Sequence, residues 1–349
     1  MRYYGSLMKK ECAVLLLLLL SMLVSIPKIS LVKAWTGVVY IRADDSVDPP
    51  TAPIQRNGDL YTLTGNITSD TAGIVIERNN MVLDGAGYTI QGLGGSGSQD
   101  HAGIILTGRN QVTIRNANIT EFSYGIRVYQ STSVTISGSS LTSNLNWGIY
   151  LWSSDYNTIS ENNITENNNQ GGIYLSDSSN NNVTGNNIAN SRRGLVLDLG
   201  SINNRILGNT FTNDGLQVYA YYGNIVEGNV VNGKPLVYLE GVSDRAIDNA
   251  GQVILINCDN IRVENLNLSS TSVGLQLEGT NNSKIANNNM VSNVYGIDIR
   301  YSSNNSIMGN KIAGNEIGVD LHFSSKNGIA RNNVIGNIFG VWLVHSPCN

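Results

Sequence analysis

A glycine followed by an aliphatic residue, any residue and a second aliphatic residue recurs along this chain about every 22 residues. The glycines are Gly103, Gly125, Gly148, Gly172, Gly194 and Gly215, then, after a longer interval, Gly274, Gly296, Gly318 and Gly340. Each unit carries two further apolar landmarks. One set is Ile114, Ile136, Ile159, Val183, Ile285, Ile307 and Ile329, and the other is Ile119, Leu141, Ile164, Ile188, Met290, Ile312 and Val334. Three short apolar stretches per unit, separated by polar turns, cannot form an amphipathic helix. A helical return with a Leu-rich consensus is also missing, which excludes leucine-rich repeats. The pattern predicts an all-β parallel β-helix with three short strands per coil. Each strand pairs with its counterpart one coil away, and the inward Ile, Val and Leu stack into a core that no single coil could bury alone.

Composition agrees. Asn makes up about one residue in seven, and 37 residues are Gly. Asn162, Asn186, Asn288, Asn310 and Asn332 recur at one position of the unit, and Asn144, Asn167, Asn293, Asn315 and Asn337 at another. Asn tolerates the left-handed backbone of tight turns, and amides stacked coil over coil can hydrogen-bond to one another, so these columns read as structural ladders. The longer interval, about 233–250, reads as an inserted excursion. Residues 35–72, with Pro49, Pro50 and Pro53, read as an N-terminal cap, and 73–349 as the repeats, the last coil being incomplete.

Residues 1–34 read as an address: Arg2, Lys9 and Lys10 precede an apolar run from Ala13 to Ile26, a signal peptide or an N-terminal anchor. This predicts an exported protein, extracellular, at the cell surface or periplasmic. A net charge of −4 gives no basic face for nucleic acid. Cys258 and Cys348, far apart, make no disulfide framework, and no CxxC or CxxH metal spacing exists. The N-x-S/T sequons match what this composition gives by chance.

If the first and third positions after each glycine point inward, the second and fourth point out. Tyr129, Tyr150, Trp152 and Tyr174 then share one outward face and form a candidate carbohydrate-binding row, since flat aromatics stack on the C–H faces of sugars. Further along, Asp298 and Asp320 sit on adjacent coils with Arg300 and His322 beside them. Two carboxylates about 5 Å apart suit retaining glycoside chemistry, so these four are the candidate catalytic residues. Both sets also have ordinary readings, as strand-favouring aromatics and a solubilising ion-paired face.

The stretches Val39 to Asp44, Val47 to Ile54 and Leu83 to Tyr88, with Gly233 to Leu239 and Val253 to Cys258, resemble secreted β-helix proteins of the NosD type. These belong to the wider class of carbohydrate-binding and sugar-hydrolase β-helix domains. The resemblance implies a right-handed, pectin-lyase-like solenoid. It also implies a surface or periplasmic binding and scaffold role, with a polysaccharide or surface glycan as partner. A polysaccharide hydrolase or lyase and a maturation factor for a copper enzyme are the alternatives. The catalytic motifs of pectinase-like and alginate-epimerase-like enzymes are missing from the coils. Copper, which the family implies, would want Cys, Met or His, and His101, His322 and His345 are scattered. Gly94 to Asp100 is a single near-match to a calcium nonapeptide, and Gly92 to Gly97 resembles a dinucleotide loop with no helix after it. No cofactor is therefore expected. The last coil's open edge predicts end-to-end self-association or a continuation of the chain.

Overall fold

The computed structural model describes residues 35–94, 98–167, 169–219 and 223–349; the expected address segment and part of the Gly94 to Asp100 loop lie outside them. The chain is a parallel β-helix. Tyr124–Tyr129, Thr135–Ser137 and Ser140–Thr142 form one coil, and Trp147–Trp152, Thr158–Ser160 and Asn163–Thr165 the next. Every strand pairs in parallel with its counterpart: Ile126 with Ile149, Ile136 with Ile159, Leu141 with Ile164. These aliphatic residues are fully or almost fully buried, and each contributes about 1.5–3 kcal/mol by leaving water.

The repeating glycines answer to close approach. A Cβ on Gly148 would stand 2.8 Å from the carbonyl oxygen of Gly172, and Gly125, Gly296 and Gly318 meet the same obstruction. Side chains are excluded where one coil folds onto the next.

The asparagine columns are buried. Asn162 Nδ2 donates to Ile136 O at 2.9 Å and to Asn186 Oδ1 at 3.0 Å, and that same oxygen accepts from Asn162 N at 3.0 Å. Asn310 repeats this with Ile285 O and Asn332 Oδ1. The left-handed turn residue is not the ladder Asn but the one before it: Glu161 (φ 56), Gly185 (φ 65), Asn287 (φ 56) and Gly309 (φ 67). That residue turns the chain, and the following Asn points its amide inward. Two further columns do the same work: Asn157, Asn181, Asn204 and Asn224, and a hydroxyl column through Ser131, Ser154, Ser178 and Ser201.

Residues 35–72 do more than cap. Val39–Ile41 and Ile54–Asn57 make antiparallel pairs with Val47–Asp48 and Leu60–Leu63. Yet Leu60–Leu63 and Ile67–Ser69 already pair in parallel with Met81–Asp84 and Thr89–Gly92, so the coils start inside the expected cap.

The interval near 233–250 is not an inserted excursion. Val230–Val231 turns through Asn232 (φ 50) and Gly233 (φ 78) into Lys234–Glu240, which runs back antiparallel beside it. Asn-Gly with both φ values positive is the tight hairpin turn that matches strand twist. From there the coils resume in the opposite sense, with Lys234–Glu240 pairing in parallel with Gln252–Ile256, then Val273–Glu278, Tyr295–Arg300, Ile317–His322 and Phe339–Val344. The third sheet of the N-terminal segment thus runs on into the first sheet of the C-terminal segment.

The reversal produces two cores. One spans Val39 to Val231 and is closed by Leu236, Ile254 and Ile256, from the outer face of the C-terminal segment; the other runs from Leu239 to Leu321. The edge strand Leu216–Val218 is sealed by side chains. Gln252 accepts from Leu216 N at 2.9 Å and donates to Leu216 O at 2.5 Å, while Gln276 takes Val218 N at 3.2 Å. A glutamine amide has the donor and acceptor of a peptide group, so it satisfies an edge as a strand would.

Two predictions follow from the ladders. Asn310→Leu removes the side-chain partner of Ile285 O and of the Asn288 backbone N–H and should cost about 1–3 kcal/mol, read as a lower urea midpoint; an unchanged midpoint would contradict a buried ladder. Asp214 occupies the column of Asn144, Asn167 and Ser191, accepting from Ser191 N at 3.1 Å, and its Oδ1 has no partner. Burial pushes its pKa up to about 8. A raised acid stabilises the fold fully below its unfolded pKa of 3.8, and that stability is lost as pH climbs toward 8. Asp214→Asn should therefore gain on the parent as pH rises, reaching about 1–3 kcal/mol at pH 8. Equal urea-midpoint differences at pH 5 and pH 8 would contradict this.

Candidate functional site

The first sheet of the N-terminal segment carries a groove of ≈ 370 Å³. Its floor is the column Tyr150, Tyr174 and Val196, one residue per coil in strict register. Tyr150 and Tyr174 are stacked, with ring centroids 5.4 Å apart and planes within 12°. Tyr124 meets Tyr150 edge-on at 5.2 Å, and Trp147 leans on Tyr174 at 4.8 Å. Tyr219 closes the far end.

The polar groups around this platform are Asn146, Gln170, Arg193 and Asp198. Tyr174 OH donates to Asp198 Oδ2 at 2.6 Å. Burial pushes the Tyr150 phenol up to about 12 and raises Tyr174 still further, with the Asp198 carboxylate adding to the effect. Both phenols therefore stay protonated, and Tyr174 donates to Asp198.

The expected aromatic row divides. Tyr150 and Tyr174 lie in the groove. Tyr129 and Trp152 stand outside it, touching each other edge-on at 6.1 Å. The row is not flat and open either: Tyr150 is only 8% exposed, against 37% for Trp152. Tyr124, Trp147 and Arg193 are absent from the sequence reading. All three precede a repeat glycine, and the readable signal was a bulky residue at that position. Gly171 holds the same place one coil after Trp147, and a Cβ there would stand 2.5 Å from the Trp147 ring.

The structure brings Asp298, Asp320, Arg300 and His322 together in the C-terminal segment, with Asp298 beside Asp320 and Arg300 beside His322 across adjacent strands. Arg300 Nε holds both oxygens of Asp298, at 3.0 and 3.1 Å, and His322 Nε2 lies 3.1 Å from Asp320 Oδ2. The Arg300 guanidinium sits over the Tyr219 ring at 4.6 Å. Burial pushes Asp298 up to about 6 and Glu278 up to about 7, and raises Asp320. Asp298 is fully buried with both oxygens on the Arg300 Nε–H, so it is not placed to touch a substrate. This network fills the inner corner between the two segments and sets Arg300 beneath the end of the groove. A second aromatic stack, Tyr301, Phe323 and His345, lines an outer turn of the same coils.

Copper does not fit the described residues. No three His, Cys, Asp or Glu side chains among them converge to hold a metal. His101 is buried and its Nδ1 takes Ser123 N at 2.9 Å, Cys258 is buried alone among backbone carbonyls, and Met290 packs in the core.

Among solved structures, the chain is similar to the tailspike protein of E. coli bacteriophage HK620 in complex with a pentasaccharide. Identity is 10% and the TM-score 0.42, over 75% of this chain and 62% of that one. It is also similar to a mutant of a periplasmic alginate epimerase at 13% identity and TM-score 0.40, over 88% and 83%. The chain thus spans about three-fifths of the tailspike chain it matches. No curated protein matches. The family model described as periplasmic copper-binding protein (NosD) matches residues 45–233 and 214–349. With nearly all of its repeats covered, the chain belongs to the NosD family.

Proposed function

We propose that this protein is exported and binds a glycan in the groove of its N-terminal segment. The observation that carries the reading is the stacked Tyr150–Tyr174 platform, walled by Tyr124 and Trp147. With their faces turned to one another, the Tyr150 and Tyr174 rings meet a sugar with their apolar edges, and they bury area at little entropic cost. The neighbouring Asn146, Gln170 and Asp198 supply acceptors and donors at hydroxyl reach of such a ring. Rigid strands hold the platform, so little ordering is needed on binding. Export is supported by the basic, then apolar, N-terminal sequence and by the periplasmic description of the family.

The reading favours binding over catalysis. The carboxylates that would act on a glycosidic bond are held by Arg300 and His322 within the corner, away from the platform's open side. They position Arg300 under Tyr219 and so fix the groove's end wall.

Tyr174→Ala should weaken polysaccharide retention in affinity electrophoresis by about 1–3 kcal/mol with the fold intact. Trp152→Ala, outside the groove, should have a smaller effect, and Tyr156→Ala, on an exposed turn, none. Equal retention of the parent and Tyr174→Ala would overturn the proposal.

A further inference from the structure

The charges of the groove are satisfied unequally. Asp198 has both oxygens engaged, Oδ2 by Tyr174 OH at 2.6 Å and Oδ1 by Leu199 N at 2.8 Å. Arg193 lines the same groove and makes no ion pair among the described residues, and its Nε is buried without a hydrogen-bond partner. Its neighbour in sequence differs: Arg192 holds Glu316 through two hydrogen bonds, at 2.9 and 2.6 Å. A buried guanidinium donor without an acceptor is costly, and the group that relieves it is an anion with paired oxygens. A second guanidinium, Arg127, stands one coil before Tyr150 in the same strand column, outside the groove lining. Its Nε is also buried and unpartnered; among the described residues its one ion pair, at 3.5 Å, is to the exposed loop residue Asp100, and its guanidinium lies 5.8 Å from the Tyr129 ring centre. The aromatic pair therefore stands near two guanidinium groups with buried, unpartnered Nε atoms, while the oxygens of its one acid, Asp198, are already hydrogen-bonded by protein donors.

We infer that the groove selects a carboxylated glycan, a uronate-bearing chain, with Arg193 taking a sugar carboxylate while the sugar packs against the edges of the Tyr150–Tyr174 pair. This rests on the glycan reading above and adds the charge of the ligand to it. A planar guanidinium matches a carboxylate in a way that a hydroxyl cannot, so the corresponding neutral sugar leaves Arg193 unpaired.

The test pairs each of four uronate oligosaccharides (galacturonate, glucuronate, mannuronate and guluronate) with its carboxyl-reduced neutral counterpart, using the full chain. The expected result is retention of at least one uronate with its reduced counterpart at least tenfold weaker. Arg193→Gln should abolish that difference, whereas Tyr174→Ala should weaken both members of the pair. Retention of the uronate should also fall between 50 and 500 mM salt in the parent, a readout that needs no variant to fold. Equal binding of the uronate and its neutral counterpart, or a preference that survives in folded Arg193→Gln, overturns the charge inference and leaves the glycan reading standing. Binding of neutral sugars alone has the same consequence. No retention of any sugar overturns both.

Discussion

Everything in this molecule depends on one contact, the approach of each coil's backbone onto the next. The approach is close enough that Gly148 cannot carry a Cβ beneath Gly172. It also turns polar side chains into structure. A buried amide without partners would cost more than the fold could spare, but stacked Asn side chains satisfy one another and the carbonyls between them, as Asn162 does with Asn186 and Ile136. The core is then an aliphatic column with polar columns at its corners, and each coil needs the one above it.

Such a column has ends, and the chain closes one of them with itself. The Asn232–Gly233 turn reverses the coils, and the outer face of the new first sheet lands on the end of the old core. Ile254 and Ile256 cover the aliphatics, and the Gln252 and Gln276 amides pair with the open strand edge. Outward-facing residues of one segment are thereby made interior. That is why Asp298 and Gln276, which point away from their own core, are fully buried. The same corner places Arg300 under Tyr219 and gives the groove its end wall.

What repeats was legible and what happens once was not. The glycine column, the three aliphatic positions and two Asn columns follow from spacing, because a solenoid maps a fixed sequence interval onto a straight line in space. The third Asn column escapes the reading although Asn157 and Asn181, or Asn305 and Asn327, keep the same period. It lies amid other asparagines, and composition hides it. The reversal was present as Asn-Gly between Val230-Val231 and Leu236-Val237, but a broken period reads more readily as an insertion. The aromatic row was half legible: Tyr150 and Tyr174 lie in one column, while Tyr124, Trp147 and Arg193 share a position whose side chain changes with every coil. Nothing periodic announces a groove made by such differences, and whether an outward carboxylate stays wet depends on a segment far away in sequence.

The most direct test of the account is where the sugar sits. Hydroxyl-radical footprinting of the full chain, with and without a retained oligosaccharide, reads side-chain protection residue by residue. The account predicts loss of oxidation at Tyr124 and Tyr174, with Tyr301, Phe323 and His322 unchanged. Protection at Tyr301, Phe323 and His322, with the groove residues still oxidised, would move the ligand to the C-terminal segment and contradict it.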